Sequence, residues 1–210
     1  MVKVLVGNER KVYNFHKTLL ISSCPFFAKC LNPSFPEGLD NEVVLEGEST
    51  ETFNCLFGWI YLQRIDTDRQ IPFGAVYVLA DKFCMERLKN EVVDAAIKYC
   101  DTNPVPLAEL TQLVSHDLSN SPLGRAFREQ LAFDIAENYC SDYAEDEKNL
   151  RSFSNLLGDT KVMERFLLDL DKAMISKVKG ELKRPSEAST CSFHEHRETP
   201  RCEVVERNES

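Results

Sequence analysis

The sequence predicts an α+β fold over its first hundred residues, then an all-α extension and a disordered tail. Three observations carry this. Short β-branched runs occur near the start of the chain and again around residue 43. Apolar residues elsewhere recur at i, i+3, i+4 spacing, the mark of amphipathic helices. After about Gly180 the composition shifts to charges, Ser, Thr and Pro. The expected boundaries are 1–101, 104–178 and 179–210.

The elements follow in order. Val2 to Val6 is apolar and β-branched, Gly7-Asn8 is a turn signal, and Lys11 to Phe15 reads as a second strand, so the pair forms a hairpin. From His16 to Asn32 the period becomes helical, and Pro25 divides the segment into two short helices. Asn32 to Asn41 contains Pro33, Pro36 and Gly38 and is expected to be a loop. Glu42 to Glu46 is a third strand. Ser49 or Thr50 caps the next helix, in which Phe53, Leu56, Phe57 and Ile60 share one face. Arg64 to Gln70 ends it. Pro72 suits the first turn of a helix over Phe73 to Phe83. The helix after that buries Leu88, Val92, Val93, Ala96, Ile97 and Cys100, opposite a polar face of Glu86, Lys89, Glu91 and Asp94.

Asn103-Pro104-Val105-Pro106 marks a boundary. Beyond it, Leu107 to Leu118 and Phe127 to Ile135 read as helices, the second starting after Pro122. Residues 134–147 carry six acids and no base, which suits a solvated helix end and loop. Val162, Phe166, Leu167, Leu170 and Met174 mark a last amphipathic helix. The remainder lacks the apolar surface needed to offset chain entropy, hence the expected disorder.

Composition narrows the function. Lys plus Arg is 25 and Asp plus Glu is 34, a net charge of −9, which argues against binding phosphate backbones; no nucleic-acid partner is expected. No apolar run approaches the roughly 20 residues of a membrane span, and no basic segment followed by an apolar one suggests a secretory signal. The eight cysteines include no Cys-x-x-Cys pair and most lie in apolar helical patterns. They read as reduced thiols packed as small hydrophobes, in an intracellular protein of cytoplasm, nucleus or both.

Several short anchors, in order, resemble the BTB/POZ family, in the short form common in fungal proteins. They are Val4-Leu5-Val6-Gly7, His16-Lys17 with Leu20 and Cys24-Pro25-Phe26-Phe27, Phe35-Pro36-Glu37, Val43-Val44-Leu45, Phe53 with Trp59-Ile60-Tyr61, and Tyr77 to Phe83 with Leu88. The resemblance implies the BTB/POZ fold, a small three-stranded sheet covered by a cluster of helices. It also implies a non-enzymatic protein–protein interaction module, an adaptor that self-associates or docks on a cullin ubiquitin ligase. Phe35, Pro36 and Glu37 fall on the family's docking loop, where an apolar residue inserts into the cullin and the acid makes polar contacts. Phe35 packing back onto its own domain is the other reading. The sequence departs from the family pattern at its start, where relatives carry a Ser-Asp-Val start and an extra N-terminal segment that in many of them exchanges between partners; an exchange-built homodimer is therefore not implied, nor a site that uses that aspartate. Cys24 replaces the usual Ser, and Leu62-Gln63 the usual Thr-Gly.

Other constellations are weaker. His16, at a strand-to-helix junction, reads as a structural hydrogen-bonding residue. His116-Asp117 are adjacent on a helix and point apart, and no nucleophile elbow or phosphate-binding glycine loop accompanies them. Trp59 and Tyr61 are expected in the core. Cys191, His194, His196 and Cys202 offer two thiols and two imidazoles, enough for a tetrahedral zinc site. Their spacing, Cys-x-x-His-x-His-x5-Cys, fits no common finger, and their flanks read as a tail without a core. The expectation is therefore no metal and no cofactor. A transcription-related regulator whose tail binds zinc or nucleic acid is the alternative.

Overall fold

In the computed structural model, which describes residues 1–66, 70–137 and 159–202, β1 (Val2–Val6) is the middle strand of a three-stranded sheet. It pairs antiparallel with β2 (Lys11–Phe15), Val4 opposite Tyr13. It pairs parallel with β3 (Glu42–Leu45), Val4 opposite Val43. The hairpin turns at Gly7, whose φ of 73° needs no Cβ, and closes with the Arg10 N–H donating to the Gly7 carbonyl at 2.9 Å. A parallel third strand requires a crossover, and three short helices make it: α1 (Lys17–Ser23), α2 (Pro25–Cys30) and α3 (Pro36–Asp40). α1 and α2 divide at Pro25 as the sequence implies. α3 lies where a loop was expected. Its Pro36 occupies the first turn, where a missing N–H costs nothing, so a proline that reads as a breaker instead starts a helix.

The chain divides into two units, Met1–Val92 and Val93–Ser210. In the first, strand alternation turns Val2, Val4 and Val6 inward, together with Tyr13 and Phe15 from β2. α4 (Thr50–Leu62) begins at Ser49, whose hydroxyl accepts from the Glu51 N–H at 3.2 Å, and packs Phe53 and Leu56 under the sheet. The rings interlock: Phe15 lies 6.2 Å from Phe53 and 6.5 Å from Phe27, and Phe27 lies 5.5 Å from Phe83. α5 (Phe73–Lys82) adds Val76, Tyr77 and Leu79. The Cys24 thiol is buried among these side chains, and burial pushes it from 9.0 up to about 12.

Two sequence expectations need correction here. Trp59 is buried, but Tyr61 is 37% exposed, and its hydroxyl sits 3.2 Å from His16 Nδ1 while accepting the His16 backbone N–H. The polar face of α6 (Glu86–Cys100) is covered in part. Glu86 and Lys89 are buried, and Lys89 reaches Asp81 at 2.9 Å. Charged side chains with long apolar stems can be buried once the head finds a partner, which periodicity alone does not reveal.

The second unit is built on α8 (Pro122–Ala136), flanked by α7 (Leu107–Ser115) and α9 (Thr160–Lys179). α8 is buried nearly all round, including Arg128, Gln130 and Asp134. Arg128 donates to Asp169 at 3.2 Å and to the Ser119 carbonyl, so its buried charge is paired. α9 is rotated from the expected stripe: Val162 and Phe166 are buried, but Leu167 and Met174 are about half exposed. It starts on an Asp159 cap and ends on Gly180 at φ 71°. Most of the acidic stretch 134–147, with Cys140, lies outside the described residues.

Within the tail expected at 179–210, residues 181–202 are described. This segment forms 3-10 turns at Pro185–Glu187 and Thr190–Phe193, and buries Pro185 and Phe193. Arg184 donates to the Asp101 carbonyl at 2.7 Å, and Arg125 donates to the Ser192 carbonyl at 2.7 Å while lying over the Phe193 ring. Two apolar anchors and two arginine clamps hold a strap that average composition would leave loose. Residues 203–210 are outside the described residues.

Two measurements test this packing. Phe15→Ala should lower unfolding free energy by about 3–5 kcal/mol, read as a shifted urea midpoint. Cys24 and the Cys100 thiol, which burial with Asp134 and Asp101 nearby also pushes from 9.0 to about 12, are favoured neutral in the fold. Their contribution is complete below pH 9 and lost as pH rises from 9 toward 12, because the unfolded thiols ionise first. Cys24→Ala and Cys100→Ala should each flatten that alkaline decline in thermal scans.

Candidate functional site

The Asn32–Asn41 segment is a built projection. The Asn32 side chain accepts from the Ser34 N–H at 2.9 Å, and its carbonyl accepts from the Phe35 N–H at 3.0 Å. The Phe35 carbonyl then takes the N–H of Gly38 at 3.0 Å and of Leu39 at 3.2 Å, closing α3. Asn41 ends the turn at φ 52°, and its side chain accepts from Lys17 at 2.7 Å. Gly38 is the constraint that shapes this projection. A Cβ there would fall 2.1 Å from the Asn32 carbonyl oxygen, so the two backbones can approach only because position 38 has no side chain.

The effect is to push Phe35 outward. Phe35 is 51% exposed. Pro36 and Glu37 follow it on the exposed first turn of α3. Leu39, one helical turn after Phe35, is 69% exposed and completes an apolar pair at i, i+4 that the sequence reading passed over as loop. The signal was present: Phe35 and Leu39 are spaced for one helix face, but only a helix makes that spacing meaningful.

The remaining candidates separate. His16 is held by Tyr61 at the start of α1, as a structural histidine would be. His116 and Asp117 form the exposed turn after α7, with Asp117 at φ 58°. A groove of about 490 Å³ beside α4 is lined mainly by apolar groups such as Leu62, Ile71 and Val76. Trp59 forms part of its wall and donates its indole N–H to Glu91 at 2.8 Å. Cys191, His196 and Cys202, by contrast, are brought together on the strap, and His194 adjoins them through Cys202.

Residues 2–99 match the family model of the BTB/POZ domain. They are a BTB/POZ domain. The match spans the sheet, the crossover helices, α4, α5 and nearly all of α6. BTB/POZ domains are protein–protein interaction modules, generally without enzymatic activity, and often homodimerise. No curated protein matches the chain.

The projection predicts a contrast. Gly38→Ala should destabilise the domain by about 1–3 kcal/mol, since its Cβ meets backbone rather than a flexible side chain. Leu39→Ala, at an exposed position, should stay within about 0.5 kcal/mol of the parent. Urea denaturation followed by tryptophan fluorescence measures both.

Proposed function

We propose that this BTB/POZ domain is an adaptor that docks on a cullin-type helical scaffold through the Asn32–Asp40 projection. The observation that supports the reading is an exposed aromatic ring, Phe35, on a backbone fixed by Asn32 and Gly38. A pre-set aromatic anchor loses little conformational entropy on binding, and such anchors dominate interface energies. Leu39 extends the apolar contact, and Glu37, in the first turn of α3, supplies a rim carboxylate.

A second reading, self-association, is favoured by the outer face of the sheet. Val12 and Val44 are both partly exposed and sit opposite Leu5 on either side, so three apolar residues form one row across three strands. Such a row buries well against a second copy.

The readings have different tests. In a binding titration with a cullin N-terminal domain, Phe35→Ala should weaken association at least tenfold, as loss of an anchor worth about 2 kcal/mol requires. Equal binding by Phe35→Ala and the parent sinks the docking loop. In light scattering, a homodimer that dissociates on Val12→Lys supports self-association through the sheet, and a monomeric parent removes it.

A further inference from the structure

We propose that the strap carries a structural zinc site, with Cys191, His194, His196 and Cys202 as its four ligands and Asp94 as the residue that orients His194. Three of the donor atoms, from Cys191, His196 and Cys202, lie within 4.8 Å of one another. Cys191 Sγ is 3.2 Å from His196 Nε2, Cys202 Sγ is 3.9 Å from the same nitrogen, and His194 Nδ1 is 3.1 Å from Cys202 Sγ. A tetrahedral zinc ion with bonds near 2.3 Å to sulfur and 2.0–2.1 Å to nitrogen has ligand–ligand edges of about 3.4–3.8 Å. The nitrogen–sulfur edge of that tetrahedron is about 3.5–3.6 Å, and the three observed separations lie on either side of it, each within about 0.5 Å. Thiol–imidazole hydrogen bonds alone would account for two separate pairs. They do not account for Cys202 lying near both imidazoles, nor for three of the donors sharing one small volume.

The second nitrogens of both imidazoles are also placed. His194 Nε2 lies 2.8 Å from the Asp94 carboxylate on α6. With the carboxylate accepting from Nε2–H, the neutral ring carries its lone pair on Nδ1, the nitrogen 3.1 Å from Cys202 Sγ. A carboxylate behind a metal-ligating histidine fixes its tautomer and ring orientation. His196 Nδ1 lies 3.5 Å from the Thr199 hydroxyl, which itself donates to the Glu195 carbonyl, leaving Nε2 for the metal. The ligands are carried on fixed backbone: Phe193 is buried between Cys191 and His194, and Arg125 holds the Ser192 carbonyl. Two thiolates and two neutral imidazoles neutralise a divalent ion and leave no open position, which makes the site structural rather than catalytic. Sulfur–nitrogen tetrahedral coordination selects zinc over magnesium or calcium.

The test uses the full chain, purified in reductant, exposed to excess zinc chloride and passed through gel filtration. Elemental analysis should give one zinc per chain, and cobalt substitution should give the visible bands of a tetrahedral thiolate site. Cys191→Ser and Cys202→Ser should each abolish stoichiometric binding, while Cys84→Ser, at an exposed cysteine elsewhere, should keep one zinc. Asp94→Asn should weaken zinc binding about 10–100-fold without changing the cobalt band positions, the mark of a positioning residue. If the cysteine variants fold poorly, the parent chain still decides: chelation should make two further thiols reactive toward Ellman's reagent, and zinc should protect them again. Zinc near zero in the reduced parent, equal loss in Cys84→Ser, or no change in reactive thiols on chelation overturns the site.

Discussion

A sheet of three short strands cannot stand alone, and that constraint governs the first unit. Its inner face must be covered by helices that arrive from both sides of the crossover. Phe15 is where this is settled. It lies at the end of β2 with its ring between Phe27 of the crossover and Phe53 of α4, and Phe27 in turn meets Phe83 after α5. Four aromatic rings from four parts of the chain therefore define one packing problem with one solution. Once they are seated, the strand register, the angle of α4 and the outward course of the Asn32–Asn41 projection follow.

Much of this was legible in the sequence because the signals were redundant. β1, β2 and β3 combined β-branched composition with turn chemistry, and α4 combined a capping serine with a four-residue apolar stripe. The family resemblance rested on the same residues. What escaped was of two physical kinds. One was short-range: α3 follows Pro33 and itself contains Pro36 and Gly38, all of which read as loop when helix start chemistry is not considered. Gly38 is a glycine for close backbone approach and not for flexibility, a distinction that depends on where Asn32 lies. The other kind was the burial of charge. Lys89 and Arg128 sit inside because Asp81 and Asp169 meet them, and no periodicity in one helix encodes the partner on another.

The strap separates averages from particular residues. Residues 181–202 are rich in charges and small polar side chains, and a mean over the segment suggests a solvated chain. Order there depends on a few positions instead. Phe193 and Pro185 supply apolar anchors, and Arg125 and Arg184 supply donors to backbone carbonyls at those points. A hydrogen bond from a charged donor to a carbonyl is among the stronger polar contacts available, so few are needed.

These anchors still leave one thing unexplained, and it bears on the cysteines and histidines between them. Two apolar side chains offer little burial against the entropy of fixing a segment of this length, and the strap beyond Phe193 has no further buried hydrophobe among the described residues. Yet the chain turns back after His196 so that Cys202 returns to His194. A small loop without a core closes on itself when something at its centre holds the ends. In small zinc domains that something is the metal, whose binding free energy is folding free energy. Phe193 is the one buried hydrophobe among the described residues from Cys191 to Cys202, and a metal at the converging donors would supply the rest of the hold.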